Sequence, residues 1–223
     1  KHTVFSFIPN TAESAFYGLA EGLETELNAW KQAKIMEAGP NLSAEQLADI
    51  LAIRPRAEKL VHKDDKLRTF IADSKSRNNM VSYVYDVTYG LVENDVDTLV
   101  LLDDSIVRGT TLRDSIVAIT SRLKPKATVI LSSAPQIRFP DCYGIDMSRL
   151  GDFVAFQALV QLLEEHGKSH LLHETYLRCK ASENAPMEEL KNEMAALYDH
   201  FEYCTISKRI AEIITPKDLN IPV

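Results

Sequence analysis

One continuous segment, Thr98–Ile116 (TLVLLDDSIVRGTTLRDSI), constrains the fold more than any other part of the chain. Its apolar run, Leu99 to Leu102, stops at two adjacent carboxylates, Asp103 and Asp104. A short apolar run that ends in a turn is typical of a strand buried on both faces of a parallel sheet. A Gly-Thr-Thr corner then leads into helical spacing. Ligands of open α/β sheets bind beyond the carboxyl ends of strands, and helix N-termini favour anions. The segment therefore predicts a phosphosugar site.

Length and composition are those of an ordinary soluble domain. The 223 residues suit one sizeable α/β domain with a small appendage, and 26% of them are charged. No apolar run approaches the ~20 residues of a membrane helix, and the segment from Lys1 to Asn10 lacks the plan of a signal peptide. We therefore expect a cytoplasmic protein that does not contact membranes. Because the sequence begins at Lys1 and not at Met, we also expect a fragment or a processed form.

The cysteines are few and widely separated. Cys142, Cys179 and Cys204 form no C-x-x-C pair, which favours a reducing compartment over a disulfide framework. Three cysteines cannot supply a four-thiolate cluster, so no iron–sulfur cluster is expected.

Charge is distributed unevenly along the chain. The formal net charge of −7 argues against non-specific nucleic-acid binding. From Arg54 to Arg77, however, eight Lys or Arg side chains outnumber four carboxylates. This window is either a solvated face or a wall that meets a polyanionic substrate.

The N-terminal half predicts strands and helices in alternation. Val4–Ile8 is typical of a strand, and Thr11 is a candidate N-cap for a long amphipathic helix that ends near Gly39. Ser43 and Gln46 predict a capping box for a second helix through about Ala52. Two later segments are a predicted strand, Leu67–Ala72, and a segment compatible with strand or helix, Val81–Tyr89.

The C-terminal half predicts a crossover followed by helices. A helix over Arg113–Leu123 and a buried strand over Ala127–Ser132 complete a right-handed βαβ unit with the opening strand. We therefore expect a parallel α/β core over residues 1–150 and a mainly helical extension over 151–223 that packs on it. The helices predicted in the extension are Phe153–Glu165, Pro186–Tyr198 and Thr205–Ile214.

The opening motif has a family likeness. LVLLDDSIVRGTT, Leu99 to Thr111, resembles the phosphoribosylpyrophosphate (PRPP) signature of type I phosphoribosyltransferases. SSAPQIRFPDCYGIDM, Ser132 to Met147, resembles the segment that follows it in the amidophosphoribosyltransferase family. RTFI at Arg68 to Ile71 and the Ile-Pro-Asn-Thr turn that starts at Ile8 fall in matching order. The resemblance covers roughly Val4 to Gly151.

The resemblance implies a fold and a reaction. The fold would be that of the type I phosphoribosyltransferases, a five-stranded parallel sheet flanked by helices and covered by a hood. The reaction would be the Mg²⁺-dependent displacement of pyrophosphate from PRPP by ammonia, which gives phosphoribosylamine for purine biosynthesis. A homo-oligomer is expected.

The resemblance also assigns roles to residues. Asp103 and Asp104 would be catalytic, holding the ribose hydroxyls and the metal, with Thr11 as a further metal ligand. The expected PRPP-binding residues are Pro9, Asn10, Thr11, Asp103, Asp104, Ser105, Arg108, Gly109, Thr110 and Thr111.

The sequence departs from the family in two respects that bear on activity. The family's glutaminase domain is expected upstream of Lys1, so ammonia would come from a part that this chain lacks. The family's lid is rich in Lys and Arg, whereas Asn78 to Thr98 contains neither. An alternative function is therefore a non-catalytic, PRPP-binding regulatory module.

Other sites with adjacent acids are less compatible with the motif. A phosphate-accepting receiver lacks a Gly-Thr-Thr turn directly after its acids, and a dehalogenase-like site has Asp-x-Asp. His166 and His170 have i, i+4 spacing, but Gly167 between them favours an exposed helix end over a metal site.

Overall fold

The computed structural model describes residues 2–63, 85–141, 147–189, 191–217 and 219. In this part of the chain, four strands form a parallel sheet in the order β2-β1-β5-β6, and β3 and β4 form an antiparallel pair. The strands are β1 (Thr3–Phe7), β2 (Arg56–Ala57), β3 (Val61–Lys63), β4 (Tyr85–Val87), β5 (Thr98–Asp103) and β6 (Ala127–Ser132).

Helices occupy about half of the described residues. The α-helices are α1 (Glu13–Ala38), α2 (Ala44–Ala52), α3 (Ala118–Thr120), α4 (Val154–Glu165), α5 (His170–Ala181), α6 (Ala195–Tyr198) and α7 (Tyr203–Ile214). A π-helix, Leu112–Val117, leads into α3, and the 3₁₀ turns are Gly39–Asn41, Ser121–Leu123, Leu150–Asp152 and Met187–Glu189. None of the helices in this part of the chain is both long and apolar enough to span a membrane.

The predicted α/β class, a parallel sheet flanked by helices and followed by a mainly helical C-terminal region, is confirmed. The strand over Leu99 to Leu102 is buried on both faces, with Leu99 and Leu101 at 0% exposure. It lies between β1 and β6, both parallel to it, as a βαβ crossover requires. The capping box of Ser43 and Gln46 at the start of α2 is also present.

Several local predictions are wrong. Thr11 is not the N-cap of the long helix, because α1 begins after Ala12, which makes no side-chain cap. Ala127–Ser132 is a strand, but it is not buried: it forms the edge of the four-stranded sheet, and Val129 is 41% exposed. In place of the helix predicted from Pro186 to Tyr198, the described residues form the 3₁₀ turn Met187–Glu189 and the short α6, and α5 was not predicted.

Other predictions fall on residues that the structure leaves undescribed. The strand predicted over Leu67–Ala72 lies wholly outside the described residues, as does the RTFI segment. Val81–Tyr89 is described only from Tyr85 onward, where Tyr85–Val87 is a strand.

The chain divides into two compact units. The first comprises Lys1–Ser105, Asp114–Ala134 and Pro216–Val223, and it contains the sheet. The second comprises Ile106–Arg113 and Pro135–Thr215, and it contains α4 to α7. The boundary predicted between residues 150 and 151 stays a prediction.

Each unit has an apolar centre. In the first, Phe7, Ala12, Phe16 and Leu102 pack together, and the rings of Phe7 and Phe16 are 5.0 Å apart. In the second, α4 and α7 pack against each other. The buried residues of these helices are Val154, Ala155, Ala158, Leu159, Leu162 and Leu163 on α4, and Ile206, Ile210 and Ile214 on α7.

Candidate functional site

The carboxylate pair, Asp103 and Asp104, lies at the carboxyl end of the central strand. Asp103 is the last residue of β5, and Asp104 follows it. The chain beyond β6 fixes this end from one side, because the N–H groups of Ser133 and Ala134 donate to the carbonyl oxygens of Asp103 and Asp104, both at 3.0 Å. The predicted strand end is thus anchored by continued pairing with the neighbouring strand.

Each carboxylate of the pair accepts a local backbone hydrogen bond. Oδ1 of Asp103 accepts from the N–H of Asp104 at 2.9 Å, and Oδ1 of Asp104 accepts from the N–H of Ser105 at 2.6 Å. One oxygen of each carboxylate is therefore held in place by the backbone. Such an arrangement orients the side chains through the backbone.

The electrostatics of the pair favour a bound cation. The pKa of Asp103 is raised to about 7, mainly by burial and also by the neighbouring Asp104 charge, against the lowering effect of the Asp104 N–H. Two like charges in contact disfavour joint ionisation, and an adjacent cation reverses that effect. Carboxylate oxygens are also the ligands that Mg²⁺ prefers. The donor set therefore fits a magnesium ion.

The turn after β1, Pro9–Thr11, lies at the same edge of the sheet. In the parallel register, Phe7 pairs with Leu102, and the N–H of Ile8 donates to the Leu102 carbonyl at 2.8 Å. The next residues of both strands therefore leave the sheet side by side. Pro9 is buried and Thr11 is exposed, and the Pro9–Asn10 peptide bond is cis. The structure thus brings Pro9, Asn10 and Thr11 to the edge that carries Asp103, Asp104 and Ser105.

The RGTT turn, Arg108–Thr111, belongs to the second unit. Gly109 has φ +70°, and its carbonyl accepts from the N–H of Arg113 at 2.9 Å as the helical segment begins. Nη2 of Arg108 lies 4.0 Å from a carboxylate oxygen of Asp152. The predicted residues Arg108, Gly109, Thr110 and Thr111 therefore form one turn, at the start of a helical segment.

The residues Asp103–Ser105 and the RGTT turn are close together in the sequence. Only Ile106 and Val107 separate Ser105 from Arg108.

Tyr85 interacts with the carboxylate pair and was not predicted as a site residue. Burial raises the pKa of the Tyr85 hydroxyl, and the Asp103 and Asp104 charges raise it further. Across the antiparallel pair, Lys63 stands opposite Tyr85 with its Nζ 5.9 Å from the ring centroid. Lys63 belongs to the basic window of the sequence, whereas its pairing with Tyr85 depends on β3 and β4.

The described part of the basic window serves two purposes. Arg56 is structural, because its Nη1 donates to the buried Asp97 carboxylate at 2.8 Å. Lys59, in contrast, places its Nζ 5.8 Å from the ring centroid of Phe7, the last residue of β1. The wall that would face a polyanion stays a prediction for Lys59 and Lys63, which are both exposed.

A further group of possible metal ligands lies at the opposite end of β5. His2, Glu93 and Asp97 are the one such group in the described ranges, with ligand atoms within 4.8 Å of one another. Asp97 already accepts from Arg56 and from the N–H of Glu93, each at 2.8 Å. A buried carboxylate that is neutralised in this way is an ion-pair anchor, so this group is distinct from the predicted metal ligands.

Comparison with known proteins supports the resemblance in one segment. No family model matches the chain. The amidophosphoribosyltransferase of Escherichia coli (strain K12) is 44% identical over 57 residues, which are 26% of this chain and 11% of that protein. Those of Haemophilus influenzae and Schizosaccharomyces pombe are 40% identical over 67 residues and 41% identical over 58 residues, covering 30% and 26% of this chain and 13% and 11% of those proteins. Part of this chain resembles amidophosphoribosyltransferases.

Two solved structures overlap more of the chain at lower similarity. One, described as the allosteric regulatory enzyme of purine biosynthesis, is 22% identical with a TM-score of 0.42. The other is the glutamine PRPP amidotransferase of B. subtilis complexed with ADP and GMP, at 24% identity and a TM-score of 0.43. Each match covers 75% of this chain and 30% of the other chain. The resemblance therefore rests on the short segment, which spans about a tenth of the curated relatives' length.

Proposed function

We propose that this chain is the phosphoribosyltransferase part of an amidophosphoribosyltransferase. It would bind PRPP and replace the pyrophosphate with ammonia, giving phosphoribosylamine for purine biosynthesis. One observation carries the proposal: a carboxylate pair at the end of the central strand continues directly into the RGTT turn. The segment of 40–44% identity to amidophosphoribosyltransferases supports it.

The carboxylate pair would hold the ribose and the metal. Asp103 and Asp104 would accept hydrogen bonds from the ribose hydroxyls with the oxygens that the backbone leaves accessible. They would also hold Mg²⁺, with Thr11 as a further ligand from the same edge of the sheet. The ion supplies charge neutralisation for the departing pyrophosphate when it is bound.

The two turns would hold the two ends of PRPP. Backbone groups and the hydroxyl of Pro9–Thr11 would position the pyrophosphate, and the RGTT turn would receive the 5′-phosphate at a helix start, where N–H groups lack partners. The C1–O bond breaks and the pyrophosphate leaves with its electron pair. The ammonia nitrogen then forms the new C1–N bond and loses one proton to solvent water. The carboxylates stabilise the positive charge that develops on the ribose.

Lys59 and Lys63 would complement the segment that lacks basic residues. Asn78 to Thr98 carries no Lys or Arg, whereas transfer from PRPP develops charge on the leaving pyrophosphate. Nζ of Lys63 lies 5.9 Å from the ring centroid of Tyr85. The charges of Asp103 and Asp104 both raise the pKa of the Tyr85 hydroxyl. A cation from another strand would therefore serve the leaving group.

A regulatory PRPP-binding module is the second candidate function. The absence of Lys and Arg from Asn78 to Thr98 favours it, because a site without a cationic lid binds the substrate without promoting departure of pyrophosphate. It would share the PRPP-binding residues with the enzyme and differ only in turnover.

One experiment separates these functions. The chain is supplied with PRPP, Mg²⁺ and ammonium ions, and both pyrophosphate release and PRPP binding are followed, the latter by calorimetry. Release above the rate of the Asp103→Asn, Asp104→Asn double variant supports the enzyme. Binding without release supports the regulatory module, and no binding would reject both.

A further inference from the structure

Gly109 is enclosed on the side where other residues carry a side chain. A Cβ atom at this position would lie 2.7 Å from Cγ2 of Ile214 and 3.5 Å from Cγ2 of Val154. Its φ of +70° is also a conformation that glycine adopts at little cost. The centre of the RGTT turn therefore rests directly on two branched side chains.

Val154 holds the turn in a second way. It is the first residue of α4, and its N–H donates to the carbonyl of Val107 at 2.8 Å. The first N–H groups of a helix lack partners within that helix, so this bond gives one of them an acceptor. The residues on both sides of Arg108 are thus fixed, Val107 by a hydrogen bond and Gly109 by packing.

The position of Ile214 is fixed by the packing of α7 on α4. Ile214 is 2% exposed and is the last residue of α7. The helix stops there with the N–H and the hydroxyl of Thr215 both donating to the Ala211 carbonyl, at 3.1 and 2.7 Å. Arg209 of α7 also donates to Glu165 of α4 at 2.7 Å. The end of α7 is therefore a rigid support.

We propose that Ile214 is a positioning residue for the RGTT turn. Together with Val154, it forms an apolar seat that keeps Gly109 and its neighbours in one backbone conformation. The ligand group that benefits is a phosphate monoester, the 5′-phosphate of PRPP, so this part of the inference rests on the proposed function. A helix from the C-terminal region would thereby set the geometry of a turn about a hundred residues earlier in the chain.

The test compares the same truncation at two places on one helix. Ile206 is fully buried on α7, two turns before Ile214 and about 12 Å away along the axis. Ile206→Ala removes the same atoms from the interior and serves as the matched control. Ile214→Val retains Cγ2, the methyl group closest to Gly109, and serves as the conservative variant.

Binding of ribose 5-phosphate to the full chain is the first measurement. We expect Ile214→Ala to weaken binding about tenfold, as the loss of roughly one charge-assisted hydrogen bond would. Ile206→Ala and Ile214→Val should bind within about twofold of the unmodified chain. Equal weakening by Ile214→Ala and Ile206→Ala would overturn the proposal, since it would indicate a general loss of packing.

Amide hydrogen exchange at Arg108–Thr111 is the second measurement, and it needs no ligand. Ile214→Ala should accelerate exchange of these amides about tenfold more than Ile206→Ala does. Equal acceleration of amide exchange by Ile214→Ala and Ile206→Ala would reject the proposal that Ile214 supports the RGTT turn. If the unmodified chain binds neither ribose 5-phosphate nor PRPP, the proposed function fails, while the exchange comparison still decides the role of Ile214.

Discussion

Asp103 is a carboxyl group whose ionisation opposes folding. Burial, with the Asp104 charge beside it, raises its pKa from 3.8 to about 7. The unfolded chain therefore loses this proton at lower pH than the folded chain does. The stability contributed by protonated Asp103 is complete below about pH 4 and is lost as the pH rises through about 7.

Replacing this carboxyl group should stabilise the chain at alkaline pH. Without added Mg²⁺, Asp103→Asn should raise the free energy of unfolding at pH 8 by on the order of 1 kcal/mol, or about 2–4 °C in melting temperature. At pH 4 the change in the free energy of unfolding should be close to zero, because the protonated Asp103 side chain and the Asn that replaces it are both neutral in the folded chain. Thermal melts at both pH values check this, with exposed Asp49→Asn on α2 as the control. An equal shift at both pH values would contradict the assignment.

The carboxylate pair should be needed for binding and not for folding. The Asp103→Asn, Asp104→Asn double variant should keep the melting temperature or raise it, because it removes two neighbouring like charges. Calorimetry should show that its binding of PRPP with Mg²⁺ is abolished. Glu45→Gln, Asp49→Asn, which removes two exposed charges from α2, should bind normally. Unchanged affinity in the first variant would mean that the pair does not face the ligand.

Gly109 and Ile214 should be energetically coupled. Gly109→Ala adds a Cβ that would lie 2.7 Å from the Ile214 side chain, at a φ that costs an L-residue about 1–2 kcal/mol. In the Ile214→Ala background the steric part of this cost disappears, whereas the backbone part stays. A double-mutant cycle in denaturant should therefore give a coupling energy of about 0.5–3 kcal/mol. Additive effects would show that the two residues do not contact each other.

At the scale of elements, strong local signals were sufficient for prediction and weak ones were not. The strand that ends at Asp103 and the capping box of Ser43 and Gln46 are encoded by adjacent residues, and both are present. The helix α5 was not predicted because it has almost no buried face: Thr175 is its one buried residue. Periodicity predicts a helix only when the helix has an apolar face to bury.

The long helix α1 shows that periodicity can predict a helix without predicting how much of it is buried. Its apolar residues recur at helical spacing, yet Phe16 and Lys31 are its buried residues and Trp30 is 44% exposed. Helical spacing therefore identified the element correctly without showing how much of its apolar face is covered in this chain.

The capping box should control the stability of α2 locally. Ser43→Ala removes the acceptor of the Gln46 N–H, a bond of 3.1 Å, and should cost about 1 kcal/mol. Because most of α2 is exposed, we expect the loss as faster amide exchange within Ala44–Ala52, by about fivefold. Ser43→Asn should retain slow exchange, since Asn is an equally good N-cap. Equal exchange in all three chains would show that the cap contributes nothing.

At the scale of the whole molecule, two kinds of information locate the candidate site. The carboxylate pair and the RGTT turn lie in one short segment, so the sequence alone was enough to propose them as site residues. The neighbours of the pair depend on strand order and register: β1 beside β5 brings in Pro9–Thr11, and β3 opposite β4 sets Lys63 against Tyr85. A single sequence contains no direct record of those pairings.

Lys63 provides a test of whether a residue positioned by strand pairing contributes to the candidate site. If it serves the leaving group, Lys63→Gln should weaken the binding of pyrophosphate with Mg²⁺ by about fivefold, because one exposed cation close to a polyanion contributes roughly 1 kcal/mol. Ribose 5-phosphate, which lacks the pyrophosphate, should bind with unchanged affinity. Calorimetry with both ligands checks the difference, and Lys34→Gln, on the exposed side of α1 beside Glu37, is the charge-matched control. An equal effect of Lys63→Gln on both ligands, or none on either, would show that the cation acts elsewhere than at the leaving group.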